Sequence, residues 1–246
     1  MIGRAVLAVI LAGIAAGLFM GGMQHVRLTP LILEAEAFER ATDANSHTSV
    51  PEAATEAETA GSSAGHDHAH EHGEGWAPEN GWQRSLATTL TAAMTGAAFA
   101  AILAGISFLS GIPITRSNGV VWGLCGFLAV TLAPAVGLPP ELPGMPEADL
   151  LPRQIWWVST IALTAAAIYL FATRREPWAL AVAALLAVIP HVIGAPAAAH
   201  QPATVPPGLV AAFVANSIAA NAIFWICIGL LLGLVLDRTA KDIYST

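Results

Sequence analysis

The chain has 246 residues, of which 10 are Lys or Arg and 17 are Asp or Glu, so charged side chains make up 11% against the ~25% of a soluble domain. Mean hydropathy is +0.64 and the formal net charge is −7; a soluble globular protein is excluded by the first, and a nucleic-acid partner by the second, because no basic face exists. The single lysine, Lys241, excludes a P-loop, a kinase core and a Schiff-base enzyme, which each need lysine inside the fold.

The predicted elements follow from uncharged runs long enough to cross a ~30 Å hydrocarbon core, about 20 residues at 1.5 Å each. Ala5–Val26 predicts a helix over 4–25. Arg4 before an apolar run also fits a signal peptide, but no small-x-small cleavage site precedes a mature start, so it is read as a retained span. The segment 27–84 then carries eleven carboxylates and reads as one external, acidic, His-rich loop, disordered around Ser46–Gly75. Ser85–Thr115 predicts a helix over 86–110, Ser117–Pro140 one over 119–138, and Gln154–Thr173 one over 155–173. Pro177–Leu236 lacks any charge and is long enough for two spans, 178–194 and 209–236, broken where Pro196, Pro202, Pro206 and Pro207 cluster. The expected organisation is therefore all-α: helix 1 over residues 1–26, the loop 27–84, and a five-helix bundle within 85–246.

With both termini inside, inner segments carry Arg4, Arg116, Arg174, Arg175, Arg238 and Lys241, and outer ones Arg27, Arg40, Arg84 and Arg153. The positive bias favours this orientation and places the loop outside. Trp156, Trp157 and Trp178 stand at predicted helix starts as interface anchors. Gly13, Gly17 and Gly21 on helix 1, and Gly229 and Gly233 on helix 6, have GxxxG spacing, which lets backbones approach closely within one chain; a dimer seam is the alternative. Cys125 and Cys227 lie in apolar runs and give neither a disulfide framework nor a CxxC metal site.

Several features carry chemistry. His66, His68, His70 and His72 alternate along the loop, and in extended chain alternate imidazoles share a side and can converge on one zinc, copper, cobalt or nickel ion. An external metal antenna is one reading; a low-complexity segment with incidental affinity is the other. His191 lies within a short span behind Pro190, and an ionisable group on a Pro-interrupted helix points to a transport site; a packing histidine is the alternative. His25 with Gln24 and Met23, Asn216, Asn221, Thr131, Pro134 and Met94 fall in the same outer half, which suggests an outward-facing vestibule. Pro139–Asp149 is a stiff, proline-rich outer loop presenting Glu141 and Met145, either as a metal-handling lip or as a rigid spacer.

The sequence resembles the CbtA family, predicted cobalt transporter subunits of bacteria. The resemblance is carried by Pro30–Glu36 (PLILEAE), Trp82 with Gln83 and Arg84, Leu132–Leu150 (LAPAVGLPPELPGMPEADL), Arg153–Trp157 (RQIWW) and Pro190–Pro196 (PHVIGAP). It implies cobalt uptake feeding cobalamin synthesis from the bacterial inner membrane. It also implies a small, single-span, histidine-containing partner, CbtB.

The expectation is thus a divalent-metal uptake subunit rather than an enzyme, with no tightly bound cofactor, a transient metal ion, the lipid bilayer as surroundings, and an oligomer open. His66, His68, His70, His72, His25 and His191 are its expected metal-handling residues. Two alternatives stand beside it. One is a membrane haem or metal oxidoreductase ligated by His25 and His191. The other is a scaffold that transports nothing itself.

Overall fold

The computed structural model describes residues 2–48, 81–198 and 204–244. Among them no strand occurs, and the helices assemble into six rods. The first rod joins α1 (Ile2–Met23), a π-turn at Gln24–Leu28 and α2 (Thr29–Thr48). The second is α3 (Trp82–Ser110). The third joins α4 (Gly119–Phe127), a π-turn at Leu128–Leu132 and α5 (Ala133–Ala135). The last three are α6 (Leu150–Thr173), α7 (Pro177–Ile193) and α8 (Pro207–Tyr244). Four rods are long and apolar enough to cross a membrane, and the shorter apolar pair, Gly119–Ala135 and Pro177–Ile193, completes the bundle.

One expectation is corrected. Helix 1 does not stop near residue 25, and the segment 27–84 does not begin as a loop: the helix runs on through Thr48. The reason is visible in Leu28, Leu31, Ile32 and Ala35, which give α2 an apolar face that packs on Leu142, Met145, Val205, Leu209 and Phe213. The carboxylates share α2 with that face, and charge alone hid it.

Both π-turns precede a proline, Pro30 and Pro134. Proline removes a donor and crowds the preceding turn. The chain accommodates this with one wide turn, whose first carbonyl is bonded from five residues on: Thr29 N–H donates to Gln24 O, and Ala133 N–H to Leu128 O.

α8 is the hub. Its Ala220, Phe224, Trp225, Ile228 and Leu232 are buried against Val9, Ala12, Ala16 and Met20 of α1 and Ala100 and Leu103 of α3. Phe99 stacks on Trp225 at 4.8 Å between ring centroids. Two glycine seams set these distances. A Cβ on Gly17 would run into the Ala92 carbonyl, and one on Gly13 into the Gly96 carbonyl, so α1 and α3 lie backbone to backbone. Gly119 and Gly123 of α4 meet Gly229 and Gly233 of α8 in the same manner. The glycine spacings are therefore used inside the chain, where close approach gains dispersion and weak carbonyl contacts that lipid cannot supply.

α6 and α7 form a hairpin at the flank. α7 packs chiefly on α6, and α6 reaches the rest through the second π-turn and α5. At one end of the bundle, here the cap end, lie α2, the 136–149 loop, the starts of α3, α6 and α8, and the close of α7. At the opposite end Arg116 pairs with Asp237 at 3.2 Å and fastens the 111–118 turn to α8.

Candidate functional site

Two adjoining cavities at the cap end collect polar side chains. The first, of about 170 Å³, is lined by Gly21, His25, Thr29, Arg84, Ser85 and Thr88 among others. The second, of about 410 Å³, lies between α1, α3 and α8 and is lined by Met20, Gln24, Thr88, Thr91, Thr95 and Asn221 among others. Thr88 borders both.

The first π-turn directs this arrangement. Gln24 and His25 are successive residues, yet one lines the second cavity and the other the first. His25 is exposed, and its Nδ1 lies 3.5 Å from Ser85 Oγ. Gln24 Oε1 is buried and has no hydrogen-bond partner among the described residues. A buried amide oxygen left unmade costs on the order of 1–3 kcal/mol, so its retention calls for an explanation. Asn221 donates its amide to Ser217 O at 3.0 Å, along its own helix. That bond uses one of the two amide hydrogens.

Charges stand at the mouth. Arg84, on the wall of the first cavity, meets Glu36 Oε1 at 2.7 Å, so the guanidinium enters that wall already paired. Among the described residues no three His, Cys, Asp or Glu side chains converge to hold a metal ion. The donors that do come together are amide and hydroxyl oxygens.

Neither of these two cavities is lined by His191, so they do not join it to His25. His191 sits half-buried in the last turn of α7, edge-on to Trp156 at 6.1 Å between centroids. Trp156 Nε1 donates to Pro190 O at 3.0 Å and Gly194 N–H to the same oxygen, which closes this helix end. The α6–α7 hairpin thus keeps His191 on the far flank of α6, away from the α1–α3 pair.

Nor do Glu141 and Met145 reach either cavity. Arg153 binds Glu141 at 2.6 Å and Glu147 at 2.9 Å, and Leu142 N–H donates to Met145 Sδ at 3.3 Å. The polar groups of the proline-rich loop are taken up by α6 and by the segment before α8, where Thr204 donates to Gly144 O at 3.1 Å, and its Leu142 and Met145 pack under α2. Asn216 donates to Ala212 O on its own helix. Thr131 accepts the indole N–H of Trp225 at 3.2 Å, so it fixes the hub. His66, His68, His70 and His72 lie outside the described residues.

The sequence placed Gln24 beside His25 in the outer polar cluster, but the threonine face of α3 read only as a packed span and went unnoticed as part of a site. The signal was there: Thr88, Thr91 and Thr95 at helical spacing.

An all-α bundle of apolar rods, four of them long enough to cross a membrane, defines an integral membrane protein. Residues 2–237 match the family described as "Probable cobalt transporter subunit (CbtA)". The chain belongs to that family, and the resemblance read from its motifs holds over nearly its whole length. No curated protein and no solved structure matches it.

Proposed function

We propose that the chain is the membrane passage of a cobalt uptake system, and that the ion enters through the paired cavities at the cap end. The observation that carries this reading is the unpartnered Gln24 carbonyl, whose residue lines the second cavity together with Asn221 and is next in sequence to His25 on the wall of the first. The cap end faces the cell exterior in this reading, in keeping with the arginine bias, and both termini are cytoplasmic.

External imidazoles of His66, His68, His70 and His72 raise the metal concentration near the mouth. His25 offers one nitrogen to the arriving ion. Gln24, Asn221 and the threonine hydroxyls then exchange for its waters. Neutral oxygens suit this step, because they replace hydration without the deep trap that several carboxylates would make. The membrane potential supplies the work: two charges moving inward gain about 4.6 kcal/mol per 100 mV. At ~1.4 kcal/mol per decade that supports roughly 10³-fold accumulation. The metal delivered serves cobalamin synthesis.

The test is uptake of radiolabelled cobalt by cells expressing the chain with its partner, with nickel and zinc as competitors. Gln24→Leu combined with Asn221→Leu is expected to lower uptake at least tenfold at unchanged membrane abundance. Unchanged uptake in that double variant removes the passage from these cavities.

A further inference from the structure

The second cavity ends on aromatic rings, and those rings are not held alike. We infer that Phe99 is the moving leaf of a hydrophobic gate that closes this cavity toward the opposite end of the bundle, with Phe224 and Trp225 as its fixed frame. What the gate passes rests on the uptake reading; that it holds water back does not.

Phe99 of α3 and Phe224 of α8 both line the cavity. Phe99 stands edge-on to Phe224 at 6.4 Å between centroids and lies against Trp225 at 4.8 Å, while Phe224 meets Trp225 at 6.1 Å. Beyond the rings the buried cluster is hydrocarbon: Ala12 of α1, Ala100 and Leu103 of α3, and Ile228 and Leu232 of α8. From Phe224 to Leu232 that zone is about 12 Å deep, at 1.5 Å per residue. An apolar constriction of this kind excludes water, and an ion that keeps its hydration shell cannot follow.

The restraints on the three rings differ. Phe224 and Trp225 are only 3% and 2% exposed. The Trp225 ring lies so close to Gly126 that a Cβ there would collide with it, and its indole N–H is bonded to Thr131 Oγ1 at 3.2 Å. Phe99 is only partly buried and has the cavity of about 410 Å³ beside it. An aromatic side chain on a helix has two accessible χ1 wells, and a ring with free volume next to it can pass between them. The backbone at this level is pinned, because Gly96 of α3 sits against the Gly13 carbonyl of α1, so the freedom belongs to the side chain. Leu103 lies one turn further along α3, and helical side chains lean toward the N-terminus, so it reaches back toward the Phe99 ring.

Thiol reactivity of the full chain in lipid nanodiscs tests the closure, since both ends of the bundle then meet the reagent. A chain carrying Cys125→Ala and Cys227→Ala receives either Thr91→Cys, on the cavity wall, or Leu103→Cys, beneath the ring, and is treated with a charged methanethiosulfonate. Leu103→Cys is expected to react at least tenfold more slowly than Thr91→Cys. Adding Phe99→Ala should raise the Leu103→Cys rate at least tenfold. Phe99→Leu, which keeps apolar bulk should the alanine variant unfold, should raise it at least threefold. An unreactive Thr91→Cys, a Leu103→Cys that reacts equally fast with Phe99 in place, or one that stays unreactive in both Phe99 variants overturns the inference. Fluorine NMR tests the motion: para-fluorophenylalanine in place of Phe99 should give two exchanging signals, and in place of Phe224 a single one. A single, unexchanging signal at Phe99 overturns the moving leaf. Neither readout measures cobalt. Success in both with no cobalt uptake by cells refutes the uptake reading alone, and cobalt uptake with Leu103 still dry in the Phe99 variants refutes the gate alone.

Discussion

Arg84 closes on Glu36 at 2.7 Å across the head of the α1–α3 pair, on the wall of the cavity that holds His25. The pair has two consequences. It latches α2 to α3, and it neutralises a cation where a metal ion is proposed to arrive.

Removing the carboxylate separates these effects. Glu36→Gln leaves the guanidinium less compensated beside His25, and a charge exposed to solvent at this range shifts binding by up to about 1 kcal/mol. The cobalt concentration for half-maximal uptake is expected to rise two- to fivefold. Arg84→Gln in the same chain should return it toward the starting value. A double-mutant cycle on uptake checks the coupling.

The α1–α3 seam predicts a contrast between two neighbouring glycines. A side chain on Gly17 collides with α3 backbone, whereas a Cβ on Gly22 meets nothing within 4 Å. Gly17→Val is expected to destabilise by about 1–3 kcal/mol or more. Gly22→Ala should leave stability within about 0.5 kcal/mol. Thermal unfolding of the purified protein in detergent measures both.

The hub offers a graded pair. Trp225→Phe loses the bond to Thr131 and is expected to cost about 1 kcal/mol, since the hydroxyl left behind is partly buried. Gly126→Ala drives a methyl into the Trp225 ring and should cost about 1–3 kcal/mol. The same unfolding measurement orders them.

The two membrane-level histidines should behave differently. His25→Ala removes an imidazole from a cavity wall and is expected to lower cobalt uptake at limiting metal three- to tenfold. His191→Ala removes an edge contact to Trp156, worth about 0.5–1.5 kcal/mol, and should leave uptake within twofold. Uptake by membranes of matched abundance decides.

For the external tetrad, replacing His66, His68, His70 and His72 by alanine should raise the half-maximal cobalt concentration and leave the maximal rate unchanged. A lowered maximal rate would place these residues in the passage itself.

How much of this was legible follows from the physics of each signal. Spans announced themselves because hydrocarbon forbids charge over 20-residue stretches, so four of the six rods appeared within about five residues of their ends, while α8 runs on through Asp237, Arg238 and Lys241 to Tyr244. The first rod escaped because α2 mixes Leu31, Ile32 and Ala35 with Glu34, Glu36 and Glu39; a run of charges masked an amphipathic face that the proline-rich loop and the start of α8 cover. GxxxG spacing declared close packing but not its partner. The seats for α1 are Ala92, Ala93 and Gly96, a pattern of small residues too common in membrane helices to single out. His25 and His191 shared a depth in the sequence, and depth is one coordinate. Which flank of the bundle each occupies depends on helix order around α8, and hydropathy carries no information on that.

Of the six rods, the one that organises the bundle is also the last to be synthesised. α1 and α3 can join early, since their glycine seam needs nothing downstream. α4 leaves the ribosome with Gly119 and Gly123 bare and waits through the whole α6–α7 hairpin for Gly229 and Gly233 to emerge. Assembly of the six rods is thus completed only once α8 enters the bilayer, and a nascent chain cut before residue 229 should remain a half-built bundle, exposed to membrane quality-control proteases.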